Sequence, residues 1–255
     1  MLVKLRTALG FYTCLPVLSH TESLDFQGIA LYAPWIGLLL GLIFISIDGG
    51  LAWLSPQGFA VRSLVLMLSS IWLTGGLHLD GAIDTGDGLA VSAPERRLEV
   101  MADSRTGAFG VMTLVCILLI KLVAWTELLH LPALRKIWLM VNIPVWARWG
   151  QLHAIGTFPY LKAEGKGKIH ASTIDQGQVW LTATILIGLN LGISYLVHDG
   201  QMGLFLNFMG LMPLALSTWL YHKLGGHTGD TYGAIVEWSE ALMALLSALY
   251  LVHQS

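Results

Sequence analysis

Polar and apolar positions are strongly segregated along this chain. Seven long apolar stretches run at 28–54, 61–79, 109–129, 134–155, 179–197, 203–221 and 232–252, with the polar residues gathered between them. No stretch alternates residue by residue, so strands are not predicted. Runs of about 20 apolar residues are the length of membrane-crossing helices. The apolar part of residues 1–27 is too short to cross and predicts an interfacial or re-entrant helix ending near Pro16. Asp48, near the far end of the first stretch, is placed at an interface. Lys121 lies inside the third stretch, where it needs Glu127 or an acid on another helix. Arg148 lies in the fourth, and Glu237 and Glu240 lie in the last. No repeat, linker or low-complexity tract interrupts the pattern, so residues 1–255 read as one domain.

Composition agrees with the pattern. Hydrophobic residues make up 55% and charged residues 12% of the chain, and the mean hydropathy is +0.67. A soluble domain carries about 25% charged residues. The fold class expected is therefore an all-α, polytopic integral membrane protein with about seven transmembrane helices. The net charge of -2 gives no case for nucleic acid as a partner. Cys14 and Cys116 sit in apolar surroundings and suggest neither a disulfide framework nor a metal site. No small-residue cleavage site follows the N-terminus, so no signal peptide is expected.

The basic residues orient the spans. With the N-terminus inside, Lys4, Arg6, Arg96, Arg97, Arg105, Lys162, Lys166, Lys168 and Lys223 face the cytoplasm. Only Arg62, Arg135 and Lys136 face outward. Excess Lys and Arg mark cytoplasmic loops, so the N-terminus is expected inside and the C-terminus outside. The polar stretches 78–107, 157–177 and 223–231 then share the cytoplasmic face, where they can build one site.

Residues 75–110 hold six of the sixteen acids: Asp80, Asp84, Asp87, Glu95, Glu99 and Asp103. Asp80, Asp84 and Asp87 are spaced i, i+4 and i+7, which puts all three on one face of a helix. Carboxylates so placed repel one another unless cations sit between them. Oxygen ligands at this density suit Mg²⁺ or Mn²⁺, which also accept phosphate oxygens. A solvated acidic turn is the plainer reading of any one of them. Glu95, Arg96 and Glu99 are the spacing of an ordinary surface helix. Asp103 is a candidate further ligand or general base, and Arg105 a candidate phosphate clamp. At 225–230, Gly-Gly-His-Thr-Gly-Asp leaves backbone N–H groups free for an anion. Gly226, His227 and Asp230 are its candidate contacts, and His78 flanks the first motif. The loop lacks the Gly-Lys-Ser/Thr ending of a P-loop, and no histidine has the spacing of a zinc site. The basic loop with Lys162, Lys166 and Lys168 reads as a lipid-facing or phosphate-attracting segment, with lipid the plainer choice.

LHLDGAIDTGDGL, followed by ERRLEVMADSRTGAFGV, resembles the signature of the cobalamin synthase family. LGFYTCLPV at 9–17 and LGGHTGDTYGAIVE at 224–237 are similar to that family's N-terminal and C-terminal motifs. The resemblance covers most of the chain in order, and no acid of the motif departs from it. It implies a Mg²⁺-dependent transferase in a bacterial cytoplasmic (inner) membrane. The substrates implied are adenosylcobinamide-GDP and alpha-ribazole or its 5'-phosphate, with GMP released. On that reading Asp80, Asp84, Asp87 and Asp103 bind metal. Asp84, Asp87 and Asp103 carry the chemistry, while His78, Arg105, Gly226, His227 and Asp230 contact substrate. Asp84-x-x-Asp87-Gly88 also echoes the start of the CDP-alcohol phosphotransferase motif, whose later spacing is not reproduced here. A phosphotransferase acting on a lipid and an ion-coupled transporter are the alternatives. The transporter would need polar residues deep within several spans, whereas most acids here lie at one face. The residues leave open the acceptor's phosphorylation, the number of metal ions and whether the chain forms a homo-oligomer.

Overall fold

The computed structural model describes residues 2–17, 24–162 and 172–251. All of its elements are helices: α1 Leu2–Tyr12, α2 Ala33–Leu54, α3 Phe59–Thr74, α4 Leu77–Ala90, α5 Arg97–Met101, α6 Ala108–Leu128, α7 Ala133–Thr157, α8 Gln176–Leu196, α9 Gly200–Met209, α10 Leu211–Leu224 and α11 Gly229–Leu251. Short 3-10 turns at Ile29–Tyr32 and Pro94–Arg96 lead into α2 and α5.

Five segments are long and apolar enough to cross a membrane: Ile29–Leu54, Ala108–Leu128, Gln176–Leu196, Gly200–Leu224 and Gly229–Leu251. Phe59–Thr74 and Leu77–Ala90 pass the same test only as a pair, bent by 92°. The expectation of seven spans thus resolves into five clear ones and this bent pair, a sixth at most. The predicted fourth stretch is α7, long enough to cross with its 25 residues but too polar to meet the same test. Its composition follows from its place, because α2, α8, α10 and α11 surround it. It is buried almost without interruption from Trp138 to Ile155.

The outer helices show the opposite pattern. Val111, Val115, Leu119 and Val123 of α6 recur every four residues, and each is about half exposed. An apolar stripe that faces outward needs lipid as its solvent.

Small residues bring the centre together. Gly37 and Gly41 of α2 lie against the backbone of Met140–Val145 in α7, where an added Cβ would overlap Pro144 and Met140 carbonyl oxygens. Close backbone approach of this kind drives helix association in membranes.

Charges inside the bundle are paired. Lys121 of α6 donates to Glu237 and Glu240 of α11 at 2.6 Å each, and Arg148 of α7 also meets Glu240. The partner of Lys121 is therefore on α11, and Glu127 is not needed. Asp48, near the far end of α2, is only 3% exposed. It accepts from Arg62 of α3 at 2.6 and 2.9 Å and from Lys136 of α7 at 2.8 Å. An uncompensated buried charge costs several kcal/mol, and these three-way pairings remove that cost.

The N-terminal helix ends at Tyr12, four residues before Pro16. Ala8 and Tyr12 pack on Ile29, Ala33, Ile36 and Leu73, and Cys14 N–H donates to Leu73 at 2.7 Å. The bend after α3 is built on Gly75 and Gly76, both left-handed at φ 61° and 70°, a conformation open to glycine at little cost. The turned helix α4 then packs on α6 and α11. Gly81 touches Asp230 and His78 touches Gly233, both in the first two turns of α11. Ile83, Gly86 and Asp87 touch Gly107, Gly110 and Thr113 at the start of α6. So α4 packs against the first turns of α6 and α11.

Candidate active site

Three polar stretches distant in sequence meet at α4. Residues 159–161 run beside the loop after α10. His227 N–H donates to Pro159 at 2.9 Å and Leu161 N–H to His227 at 2.8 Å. Gly225 ends α10 with φ 81°. Gly226 follows, and a side chain there would strike the Pro159 carbonyl and Leu161. Arg97 ties the segment after α4 to the end of α10 by donating to Lys223 at 2.8 Å. Thr228 and Thr231 stiffen the first turn of α11: Thr228 N–H donates to Thr231 Oγ1 at 2.9 Å, and Thr231 Oγ1 donates to the Thr228 carbonyl at 3.0 Å.

A cleft of about 280 Å³ opens between these segments, α1 and α7. Asp80, Lys162, Gly229 and Asp230 stand among its polar lining. Lys162 Nζ donates to Asp230 Oδ2 at 2.9 Å, and Thr228 Oγ1 to the same oxygen at 3.1 Å. Asp84 lies one turn beyond Asp80. Its carboxyl is pushed up to about 6, first by burial, then by the negative charges of Asp80 and Asp230. Lys162 opposes that rise, and Asp87 adds to it. Asp80, Asp84 and Asp230 thus form one crowded anionic group, and among the described residues Lys162 is the lysine that opposes it. Among the described residues, no three His, Cys, Asp or Glu side chains converge as a ready-made metal cage.

The other predicted residues are placed differently. Asp87 shares the face of Asp80 and Asp84, but its carboxylate accepts from Gly107 N–H and Gly110 N–H, both at 2.7 Å. These are orphan donors at the start of α6, so Asp87 anchors α4 to that helix end. Glycine is required at both positions, since a Cβ would overlap the carboxylate. Asp103 and Arg105 pair with each other at 2.7 Å on the exposed segment before α6. Arg105 holds the Asp103 carboxyl at about 2, and Asp103 is not among the charges acting on Asp84. His227 is fully buried beneath the loop, with Nδ1 3.1 Å from Thr231 Oγ1. It is not among the residues that line the cleft. His78 does line it, and is buried. Arg96 and Glu99 form an exposed pair at 3.6 Å. Lys166 and Lys168 lie outside the described residues.

Tyr12, Gln151, Tyr160 and Tyr232 come from four separate segments. Tyr12 and Tyr232 lie in the motifs at 9–17 and 224–237, whereas Gln151 and Tyr160 carried no signal of their own in the sequence. Lys162 read as part of a lipid-facing loop, but its amine is at the cleft. The deep acids Glu237 and Glu240 are neutralised by Lys121 and Arg148, which removes the feature that a cation-coupled transporter would use.

Comparison with known proteins agrees in one direction. The family model for cobalamin-5-phosphate synthase (CobS) matches residues 4–248. A protein of Synechococcus elongatus is 48% identical over 241 residues, 94% of each chain. One of Trichormus variabilis is 44% identical over 248 residues, 95% of each. One of Brevibacillus brevis is 34% identical over 244 residues, 94% of this chain and 95% of that one. All three are named adenosylcobinamide-GDP ribazoletransferase. No solved structure matches the chain. A match over nearly the whole length, by relatives well above 30% identity, establishes that the chain belongs to the cobalamin-5-phosphate synthase family.

Proposed function

We propose that this chain is an adenosylcobinamide-GDP ribazoletransferase of cobalamin biosynthesis, working at the cleft between α4, α11 and the 159–162 segment. The observation that carries the assignment of the site is the anionic group of Asp80, Asp84 and Asp230 beside Lys162. Like charges that raise the proton affinity of Asp84 are a ready place for a divalent cation. Mg²⁺ is commonly held by one or two carboxylates, with water and substrate phosphate completing its shell. Asp80 and Asp230 are the proposed ligands. Bound there, the ion would neutralise diphosphate charge and the charge developing on the departing phosphate.

The chain's own residues supply the rest. The diphosphate of adenosylcobinamide-GDP lies against Lys162, at the start of α11. A ribose hydroxyl of the acceptor attacks the phosphorus on the cobinamide side. A new O–P bond forms, the bond to the GMP phosphate oxygen breaks, and GMP leaves. The 5'-phosphate of a phosphorylated acceptor survives into the product, so the attacking hydroxyl is not the 5' one. Asp84, one turn beyond Asp80 on the same helical face, takes the hydroxyl proton. Asp87 fixes α4 against α6, and Arg105 stands on the neighbouring exposed segment as a second phosphate contact. The chain sits in the bacterial cytoplasmic membrane with this face inward, as the Lys and Arg distribution predicts.

The test is GMP release from adenosylcobinamide-GDP by the purified protein in detergent or liposomes. Release that requires both alpha-ribazole (or its 5'-phosphate) and Mg²⁺ is expected. No release from protein shown to be folded would overturn the assignment.

A further inference from the structure

The inner part of the cleft has a property that phosphate and metal binding do not explain. Tyr12, His78, Gln151 and Tyr232 line it, and they are only 1%, 2%, 5% and 3% exposed. Among the described residues, the Tyr12 hydroxyl, both His78 ring nitrogens, Gln151 Oε1 and the Tyr232 hydroxyl have no hydrogen-bond partner. Buried polar groups are rarely left unpaired, because each costs the hydration it gave up. Five such atoms, on four residues that line one cleft, mark a place for a polar ligand.

The walls say what shape it has. Tyr12 and His78 are stacked at 6.1 Å with 26° between their planes. Tyr160 and Tyr232 are stacked at 6.2 Å and 27°. Two near-parallel ring pairs of this kind are platforms for a flat heterocycle. The cleft, at about 280 Å³, is at the small end of ligand pockets, which start at roughly 300 Å³. It has room for one base and its sugar and none for a corrin macrocycle. Its rim carries Asp80, Lys162 and Asp230, so a phosphate at the rim would leave its attached nucleoside pointing inward.

We propose that the inner cleft is a nucleoside pocket, in which Gln151, Tyr12, Tyr232 and His78 hydrogen-bond a heterocycle and its ribose between the two ring pairs. This deepens the transferase reading and rests on it for the identity of the ligand. Two nucleosides take part in that reaction, the guanosine that leaves and the ribazole that attacks.

The experiment compares wild-type chain with Gln151→Leu and Tyr232→Phe, the second keeping its ring in case the first destabilises the fold. Purified protein is titrated without Mg²⁺ with GMP, alpha-ribazole and inorganic phosphate in turn, following the shift in Tm. KM is then measured for each substrate. One nucleoside should raise the wild-type Tm where phosphate alone does not, and so identify the occupant. Each variant should raise the KM for the substrate carrying that nucleoside about tenfold, leaving the other KM and the Mg²⁺ requirement unchanged. Unaltered KM values in both variants, or losses of kcat and Tm with no change in KM, would overturn the pocket. The two proposals fail separately. Turnover with unaltered KM in the variants removes the pocket and keeps the transferase. Nucleoside binding that the variants weaken, without any GMP release, removes the transferase and keeps the pocket.

Discussion

Asp80, Asp84 and Asp87 sit on one helical face, yet each has a different neighbour and hence a different expected phenotype. Asp84→Asn should lower kcat at least 100-fold, the usual worth of a positioned base, with the Mg²⁺ requirement kept. Asp80→Asn should instead raise the Mg²⁺ concentration needed for half-maximal rate, tenfold for each ~1.4 kcal/mol of attraction lost. Rates measured against Mg²⁺ separate the two. The pH profile is a second check. Without metal the Asp84 carboxyl is raised to about 6, and Mg²⁺ bound beside it lowers that value. At saturating Mg²⁺ activity should therefore fall only as the pH drops below about 6, and lowering Mg²⁺ should move the acid limb up. Asp87→Ala removes the acceptor for Gly107 and Gly110 N–H. It should cost about 0.5–2 kcal/mol of stability, as lost helix caps do, along with activity. Thermal unfolding in detergent distinguishes it from Asp84→Ala, which caps nothing.

At the scale of elements, the chain is held by backbone contact and by paired charge. A larger residue at Gly37 or Gly41 would push α2 off α7, because the obstacle is Pro144 and Met140 backbone, which cannot swing aside. Gly41→Val should therefore lower the yield of folded protein, read by size-exclusion chromatography after extraction. The Lys121–Glu237–Glu240–Arg148 group ties α6, α7 and α11. Lys121→Met leaves two acids to share Arg148 and should cost about 3–5 kcal/mol. Adding Glu237→Gln removes one of those charges and should recover part of the loss, a coupling that a double-mutant cycle measures. Helix lengths were legible in the sequence because a bilayer selects runs of about 20 apolar residues. The bend after α3 was not, although its cause, Gly75-Gly76, stands in plain sight. Paired glycines permit a left-handed turn without demanding one, and the packing of α4 on α6 and α11 decides it.

On the scale of the whole molecule, the three polar stretches converge on one end of the bundle, which their shared side predicted. The Lys and Arg count also predicts that this end faces the cytoplasm. A cysteine introduced at Glu95 should be protected from an impermeant thiol reagent in intact cells, and one at His130 should react. The reverse pattern would invert the orientation. Cys14 and Cys116 are exposed and would be replaced first.

Pattern alone determined the class of this protein, its helical spans, the acidic stretch and the family signature. Each of these is local: it depends on runs of apolar residues or on spacing within one helix. Pairing needed the tertiary structure. Asp84 and Asp230 are 146 positions apart, and only the packing of α4 across the start of α11 sets their charges against each other. The same packing turned Asp87 toward the backbone of α6, left Asp103 with Arg105, and brought Lys162 from an unremarkable loop to Asp230. It also gathered Tyr12, His78, Gln151 and Tyr232 from four segments into one cleft. No periodicity in the chain records that meeting, because a hydrogen-bonding group left without a partner is a property of space and not of sequence order.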